Sequence, residues 1–112
     1  MFPGMSATLH RTHLCGELSR EHVGLSVRLG GWVHRRRDHG GVVFFDLRDR
    51  YGIVQVTVNP NLAQETLEKV NNVRMEWVLE IQGAVQMRPE GMANPKMKTG
   101  EIEVIAASVK VL

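Results

Sequence analysis

The sequence predicts an all-β domain: a five-stranded Greek-key barrel with one helix between its third and fourth strands. Three observations predict it. Apolar residues alternate with a period of two through five separate segments, the period lengthens to that of a helix only between residues 59 and 73, and Gly, Asn, Asp and Pro gather in the gaps. A chain of 112 residues supplies one such domain with a modest core, and is too short for a domain plus a complete nucleotide-using enzyme core.

Residues 1–12 mix Pro, Gly, Ser and Met without periodicity and are expected to form a loose N-terminal segment ahead of the barrel domain at 13–112. Ser19 to Gly24 reads as a single helical turn, capped by the Ser19 side chain and ended by Gly24. Residues 25–36 form the first strand, with Val27, Leu29 and Val33 on one face and Arg28 and Trp32 on the other. Gly30-Gly31 marks an expected bulge or sharp bend, the device by which one strand serves two sides of a small barrel. Asp38-His39-Gly40-Gly41 is turn chemistry.

In the second strand, residues 42–48, Val43, Phe45 and Leu47 share one face and Val42, Phe44 and Asp46 the other. Asp49-Arg50-Tyr51-Gly52 turns it into the third strand, residues 53–59, where Val54, Val56 and Val58 must face the core and Ile53, Gln55 and Thr57 lie outside. Then Ala63, Leu67 and Val70 fall at helical spacing, with Asn59 as the cap and Pro60 in the first turn. In the fourth strand, residues 77–88, Leu79, Ile81, Val85 and Met87 are expected inward and Glu80 outward. Residues 89–99 form a long loop, and residues 101–111 the last strand, with Ile102 and Val104 inward and Glu101 and Glu103 outward. Short early connections and a lone mid-chain helix match the OB-fold rather than a β-sandwich.

Several function classes are excluded at this stage. No run approaches 18 apolar residues, so no membrane span is expected, and the first residues lack the pattern of a secretory signal; a cytoplasmic setting follows. The single Cys15 permits neither an internal disulfide nor a zinc-type spacing and reads as buried filler. His10, His13, His22 and His34 are scattered without ligand spacing. The cluster of Asp46, Arg48, Asp49 and Arg50 abuts a turn and is expected to form local ion pairs or turn hydrogen bonds. No Gly-rich phosphate loop and no nucleophile–base motif is present, so no catalytic residue, metal ligand or cofactor site is expected in this chain.

Net charge is only +2, but its distribution is uneven: Arg28, Arg35, Arg36 and Arg37 lie with His34 in a stretch without an acid. A solvated strand end and a nucleic-acid footprint both fit that run. The outward faces discriminate better. Phe44 offers a stacking platform for an unstacked base, Gln55 a donor and an acceptor for a base edge, and the arginines neutralise phosphate. These strands are the ones with which OB-folds bind oligonucleotides. The bland alternative packs Phe44 under a loop and leaves Gln55 merely solvated. A carboxylate such as Glu103 repels phosphate, and earns a place on such a face by accepting from guanine N–H groups.

The segments Gly31-Trp32-Val33-His34-Arg35-Arg36-Arg37-Asp38, Phe44-Phe45-Asp46-Leu47-Arg48-Asp49, Gly52-Ile53-Val54-Gln55-Val56 and Lys98-Thr99-Gly100-Glu101-Ile102-Glu103-Val104 resemble the N-terminal anticodon-binding domain of bacterial aspartyl-tRNA synthetases. The resemblance runs from about His13 to the C-terminus. It implies that Phe44 stacks on the central uracil of the anticodon, Gln55 pairs with that base, and Arg35 and Arg37 hold the loop backbone or base edges. It implies further that Glu103 helps read the first-position guanine and that Arg88 and Asn94 meet the third base. His39 and Gly91 match the relaxed branch of the family, which charges aspartate onto both tRNA(Asp) and tRNA(Asn), anticodons GUC and GUU. Arg35 and Arg37 share parity with Val33, so an outward role for them needs a bend or a strand end that periodicity does not supply. By the same resemblance the chain is a piece of a homodimeric class II ligase whose catalytic domain, with its ATP and Mg2+, lies elsewhere; the isolated domain is expected to be monomeric. The competing readings are a free-standing OB module binding single-stranded nucleic acid without sequence preference, and a protein-binding OB domain.

Overall fold

The computed structural model describes residues 11–112. The segment expected to be loose, residues 1–12, and His10 with it, lie almost wholly outside the described residues; Thr12, which is described, pairs with Arg28 through both its backbone N–H (2.8 Å) and its hydroxyl (2.9 Å).

Five strands form a closed barrel: β1 (Ser26–His39), β2 (Val42–Asp49), β3 (Gly52–Val58), β4 (Val78–Met87) and β5 (Ile102–Val111), in the order β1-β2-β3-β5-β4. All pairings are antiparallel except β3 with β5, where Val56 lies opposite Val104 and Thr57 opposite Ile105. One helix, α1 (Gln64–Asn72), separates β3 from β4. This is the OB-fold. Two short 3-10 turns precede it, Cys15–Glu17 and Arg20–His22; the second carries the Ser19 cap, whose hydroxyl accepts from the Glu21 N–H at 3.3 Å, and ends at Gly24 with φ +93°.

β1 closes the barrel because its first half pairs with β4 and its second half with β2. Gly30 and Gly31 keep register with Glu80 and Leu79, so the expected bulge is not there. Gly31 instead permits a close approach: a Cβ on it would sit 2.4 Å from the Arg48 carbonyl oxygen. The register shifts at His34, between Val33 and Arg35. That extra residue inverts the parity of everything after it. Arg35 lies opposite Asp46 and Arg37 opposite Phe44, both on the outer face, while Arg36 lies opposite the inward Phe45. The hairpin from β1 to β2 closes on Gly40-Gly41, both with positive φ (+60° and +90°), the requirement of a two-residue turn matching strand twist.

The interior holds the residues expected of it. Val27, Leu29, Val33, Phe45, Leu47, Val54, Val56, Val58, Leu79, Ile81, Val85, Ile102 and Val104 are buried, with Phe45 the largest fully buried side chain. Met87 departs from expectation: it has inward parity but lies at the end of β4, beyond the filled interior, and is 44% exposed. The helix also starts later than expected. Pro60 lies in a turn, Ala63 rather than Asn59 holds the N-cap position with no side-chain cap, and Ala63 is exposed. Leu62 packs against the core ahead of the helix, together with Leu67, and the chain must turn at residues 60–62 to deliver it; Val70 and Val73 complete the helix's buried side.

The turn cluster divides. Asp49 does the turn work, accepting from the Tyr51 N–H and from the Cys15 N–H, each at 2.8 Å. Burial, with Asp49 beside it, pushes the Cys15 thiol well above the ordinary thiol range, which makes it an inert neutral filler. Asp46 leaves the cluster altogether: its partner is Arg37, across on β1, at 3.3 Å.

Candidate nucleic-acid interface

The outer faces of β1, β2, β3 and β5 and the loop at 88–99 line an open groove of about 730 Å³. Its floor is Asp46, Gln55, Thr57 and Glu103; Arg35, Arg37, His39 and Phe44 form one side and Arg88, Asn94, Met92 and Met97 the other. The loop is pinned to the barrel by backbone and side-chain bonds. Arg88 donates from its backbone N–H to the Glu101 carbonyl (2.9 Å) and from Nε to the Ile102 carbonyl (3.0 Å). The Asn94 N–H donates to the Gly100 carbonyl (2.9 Å), and the Thr99 hydroxyl to the Ile53 carbonyl (2.6 Å).

Of the residues singled out in the sequence, Arg35, Arg37, His39, Phe44, Gln55, Arg88, Asn94 and Glu103 line this groove. Gly91 does not. It sits in a turn of the loop with φ +82°, and a Cβ there would meet nothing within 4 Å, so backbone conformation is the physical reason for glycine at this position. The outward parities of Gln55, Thr57 and Glu103 hold, but outward does not mean exposed: the three are 8%, 5% and 6% accessible.

Burial is matched by bonding. The Arg37 guanidinium donates to Asp46 (3.3 Å) and to the Gln55 carbonyl oxygen (3.2 Å). The Gln55 amide donates to the Thr57 hydroxyl (3.5 Å), and that hydroxyl donates to Glu103. The chain of bonds is directional, from a cation on β1 to a carboxylate on β5. Arg37 can only donate, so Gln55 must turn its oxygen towards it and its NH2 group towards Thr57. Phe44 is half-buried opposite Thr57 rather than Gln55, with the Arg37 guanidinium 5.9 Å from its ring centre and the His39 ring edge-on at 6.0 Å. Burial pulls the Arg88 guanidinium below its usual pKa, an effect opposed by Glu103 and Asp46 and reinforced by Arg37.

Sequence reasoning missed Asp46, Thr57, His34, Met92 and Met97 as groove residues. Strand parity had already placed Asp46 and Thr57 outside, and that signal could have found them; the methionines lie on a loop whose path no periodicity encodes. The groove pairs three arginines with two carboxylates, one half-buried ring and one fixed amide. Such a set has the chemistry to stack a planar group, to hold phosphate and to offer donors and acceptors to a base edge. No helix among the described residues is long and apolar enough to cross a membrane. Among the same residues no group of three His, Cys, Asp or Glu is placed to share a metal ion.

Residues 27–112 match the family model described as an OB-fold nucleic acid binding domain. The chain is 52% identical over 105 residues to an aspartate–tRNA(Asp/Asn) ligase of Desulfatibacillum aliphaticivorans, covering 94% of this chain and 18% of that protein. It is 56% identical over 104 residues to the ligase of the same name from Thermoanaerobacter pseudethanolicus, covering 93% of this chain and 18% of that protein. Among solved structures it resembles asparaginyl-tRNA synthetase from Pyrococcus horikoshii with a TM-score of 0.76 and 32% identity, over 89% of this chain and 22% of that one. The chain therefore spans under a fifth of the length of each of these two ligases.

Proposed function

The chain belongs to the family of OB-fold nucleic acid binding domains, and from that membership we propose that it reads the anticodon loop of tRNA as the N-terminal domain, residues 13–112, of an aspartate–tRNA ligase that accepts both tRNA(Asp) and tRNA(Asn). The observation that carries this reading is the convergence of Phe44, Gln55, Arg37 and Glu103 in one groove, with the two base-edge readers buried and bonded. A groove built only for phosphate has no use for Asp46 and Glu103 on its floor. A buried carboxylate that already accepts from one hydroxyl keeps a second oxygen for guanine N–H donors.

In this reading Phe44 stacks on the central uracil and Gln55 pairs with its edge. Glu103 reads the first-position guanine, and Arg35 and Arg37 hold the loop backbone. Arg88, Asn94 and His39 surround the third base, where cytosine and uracil exchange a donor for an acceptor and neutral His can meet either. Gly91 acts there only through the turn it allows in the loop. The full-length protein is taken as a cytoplasmic homodimer of the class II aminoacyl-tRNA ligases, its ATP and Mg2+ used outside this chain, and this domain alone as a monomer. The test is a binding series at fixed salt, using anticodon stem-loops changed one base at a time against poly-pyrimidine DNA. Preference for GUC and GUU loops over every other loop is the expected result. Equal affinity for the DNA would favour a module without sequence preference, and no salt-dependent RNA affinity would leave a protein-binding domain.

A further inference from the structure

We propose that Thr57 is a positioning residue that couples the readers of two neighbouring bases, so that the first and central anticodon letters are recognised as a pair. The inference rests on the base-reading roles of Gln55 and Glu103 given above. The Thr57 hydroxyl has one hydrogen, which goes to Glu103, so towards Gln55 it can only accept, and it accepts from the amide NH2. Gln55 is held at its other end by Arg37, which is itself held by Asp46. Neither reader can rotate without breaking a bond that Thr57 or Arg37 supplies. All three residues of the Gln55–Thr57–Glu103 run are more than nine-tenths buried, so a lost partner is not readily replaced by water. Phe44 lies directly across the strand pair from Thr57, placing the stacking ring beside the hydroxyl that links the two readers.

The residue type is informative in its own right. β3 reads Gly-Ile-Val-Gln-Val-Thr-Val, and a valine at position 57 would keep the shape and the β-branching while removing the hydroxyl. Packing alone therefore gives no reason for Thr over Val at this buried site. The hydrogen-bond run does.

The experiment measures wild type, Thr57→Val and Thr57→Ser against four anticodon stem-loops at fixed salt: GUC, the loop with guanine replaced by adenine, the loop with uracil replaced by cytosine, and the loop with both. In wild type each single change should weaken binding, and the double change should weaken it by less than the product of the two. Thr57→Val should lose about fivefold of discrimination at both positions, the scale of one hydrogen bond, and its penalties should become multiplicative. Thr57→Ser should restore both. A Thr57→Val protein that keeps both ratios within about twofold of wild type, or loses only one, overturns the coupling, as does failure of Thr57→Ser to restore them. Gln55→Leu gives an arm independent of whether Thr57→Val folds: it should weaken guanine-over-adenine preference as well as uracil preference, and an unchanged guanine preference overturns the proposal. If wild type discriminates at neither position, the base-reading assignment itself fails, which is a different result from loss of coupling alone.

Discussion

The two faces of β3 are both buried from Val54 to Val58, yet they are built from opposite chemistry. Val54, Val56 and Val58 point into the barrel, where each is stabilised by apolar area removed from solvent. Gln55 and Thr57 point the other way, onto the groove floor beside the loop at 88–99, and hold their places through hydrogen bonds. Burying a valine side chain contributes about 1.5–3 kcal/mol, against about 0.5–1.5 kcal/mol for the uncharged Gln55–Thr57 bond and about 1.5–3 kcal/mol for a bond to a charged partner such as Arg37 or Glu103. The inner face stabilises without direction. The outer face stabilises only while its partners stand in place, and so fixes where donors and acceptors stand. Low accessibility alone does not separate a core from a binding floor; what separates them is whether the buried atoms are apolar or bonded.

The adjacent phenylalanines of β2 break this comparison most sharply. Phe45→Ala should destabilise the fold by about 3–5 kcal/mol in denaturant titration, because it empties the largest buried site. Phe44→Ala should cost much less stability and instead about 1–3 kcal/mol of RNA affinity through lost stacking. Equal midpoint shifts for the two would refute the assignment of faces.

The arginines after the bulge give a smaller effect with a clear sign. Arg35→Ala and Arg37→Ala should each lower the salt slope of RNA binding by about 1 if each meets one phosphate. Arg37→Ala should weaken binding further than Arg35→Ala, since it also strips Asp46 of its counter-charge and Gln55 of its anchor. Adding Asp46→Asn to Arg37→Ala should recover part of that difference, which a double-mutant cycle would read. If the two single variants are indistinguishable, Arg37 is only a phosphate contact.

The smallest effect is at the third anticodon base. Stem-loops differing only by cytosine or uracil there should bind within about tenfold of each other, or 1.4 kcal/mol. His39→Leu should widen that ratio towards cytosine. A wild-type preference well above tenfold would remove the case for dual acceptance.

Much of this fold is legible in residue order. The valines of β3, Phe45 and Leu47 in β2, and Ile102 and Val104 in β5 declare their faces by a period of two, which survives because each strand is paired continuously through those positions. The hairpin turns declare themselves through Gly40-Gly41 and Asp49. Met87 and the start of α1 are harder, since the first depends on where the filled interior ends and the second on where Leu62 had to be delivered.

The sequence by itself determined the barrel, its core and the outward parity of Phe44, Gln55 and Glu103, because alternation along a strand is a local property of the backbone. Only the tertiary structure decided that Arg35 and Arg37 join them and that Gln55, Thr57 and Glu103 form a closed, bonded floor. The first depends on the bulge at His34, where one strand spends an extra residue against its partner and every later side chain changes sides. The second depends on the path of the loop at 88–99 and on the parallel pairing of β3 with β5, which bring together residues 46 positions apart in the chain. Contacts at that separation are set by how the barrel closes, and no period along the chain encodes them.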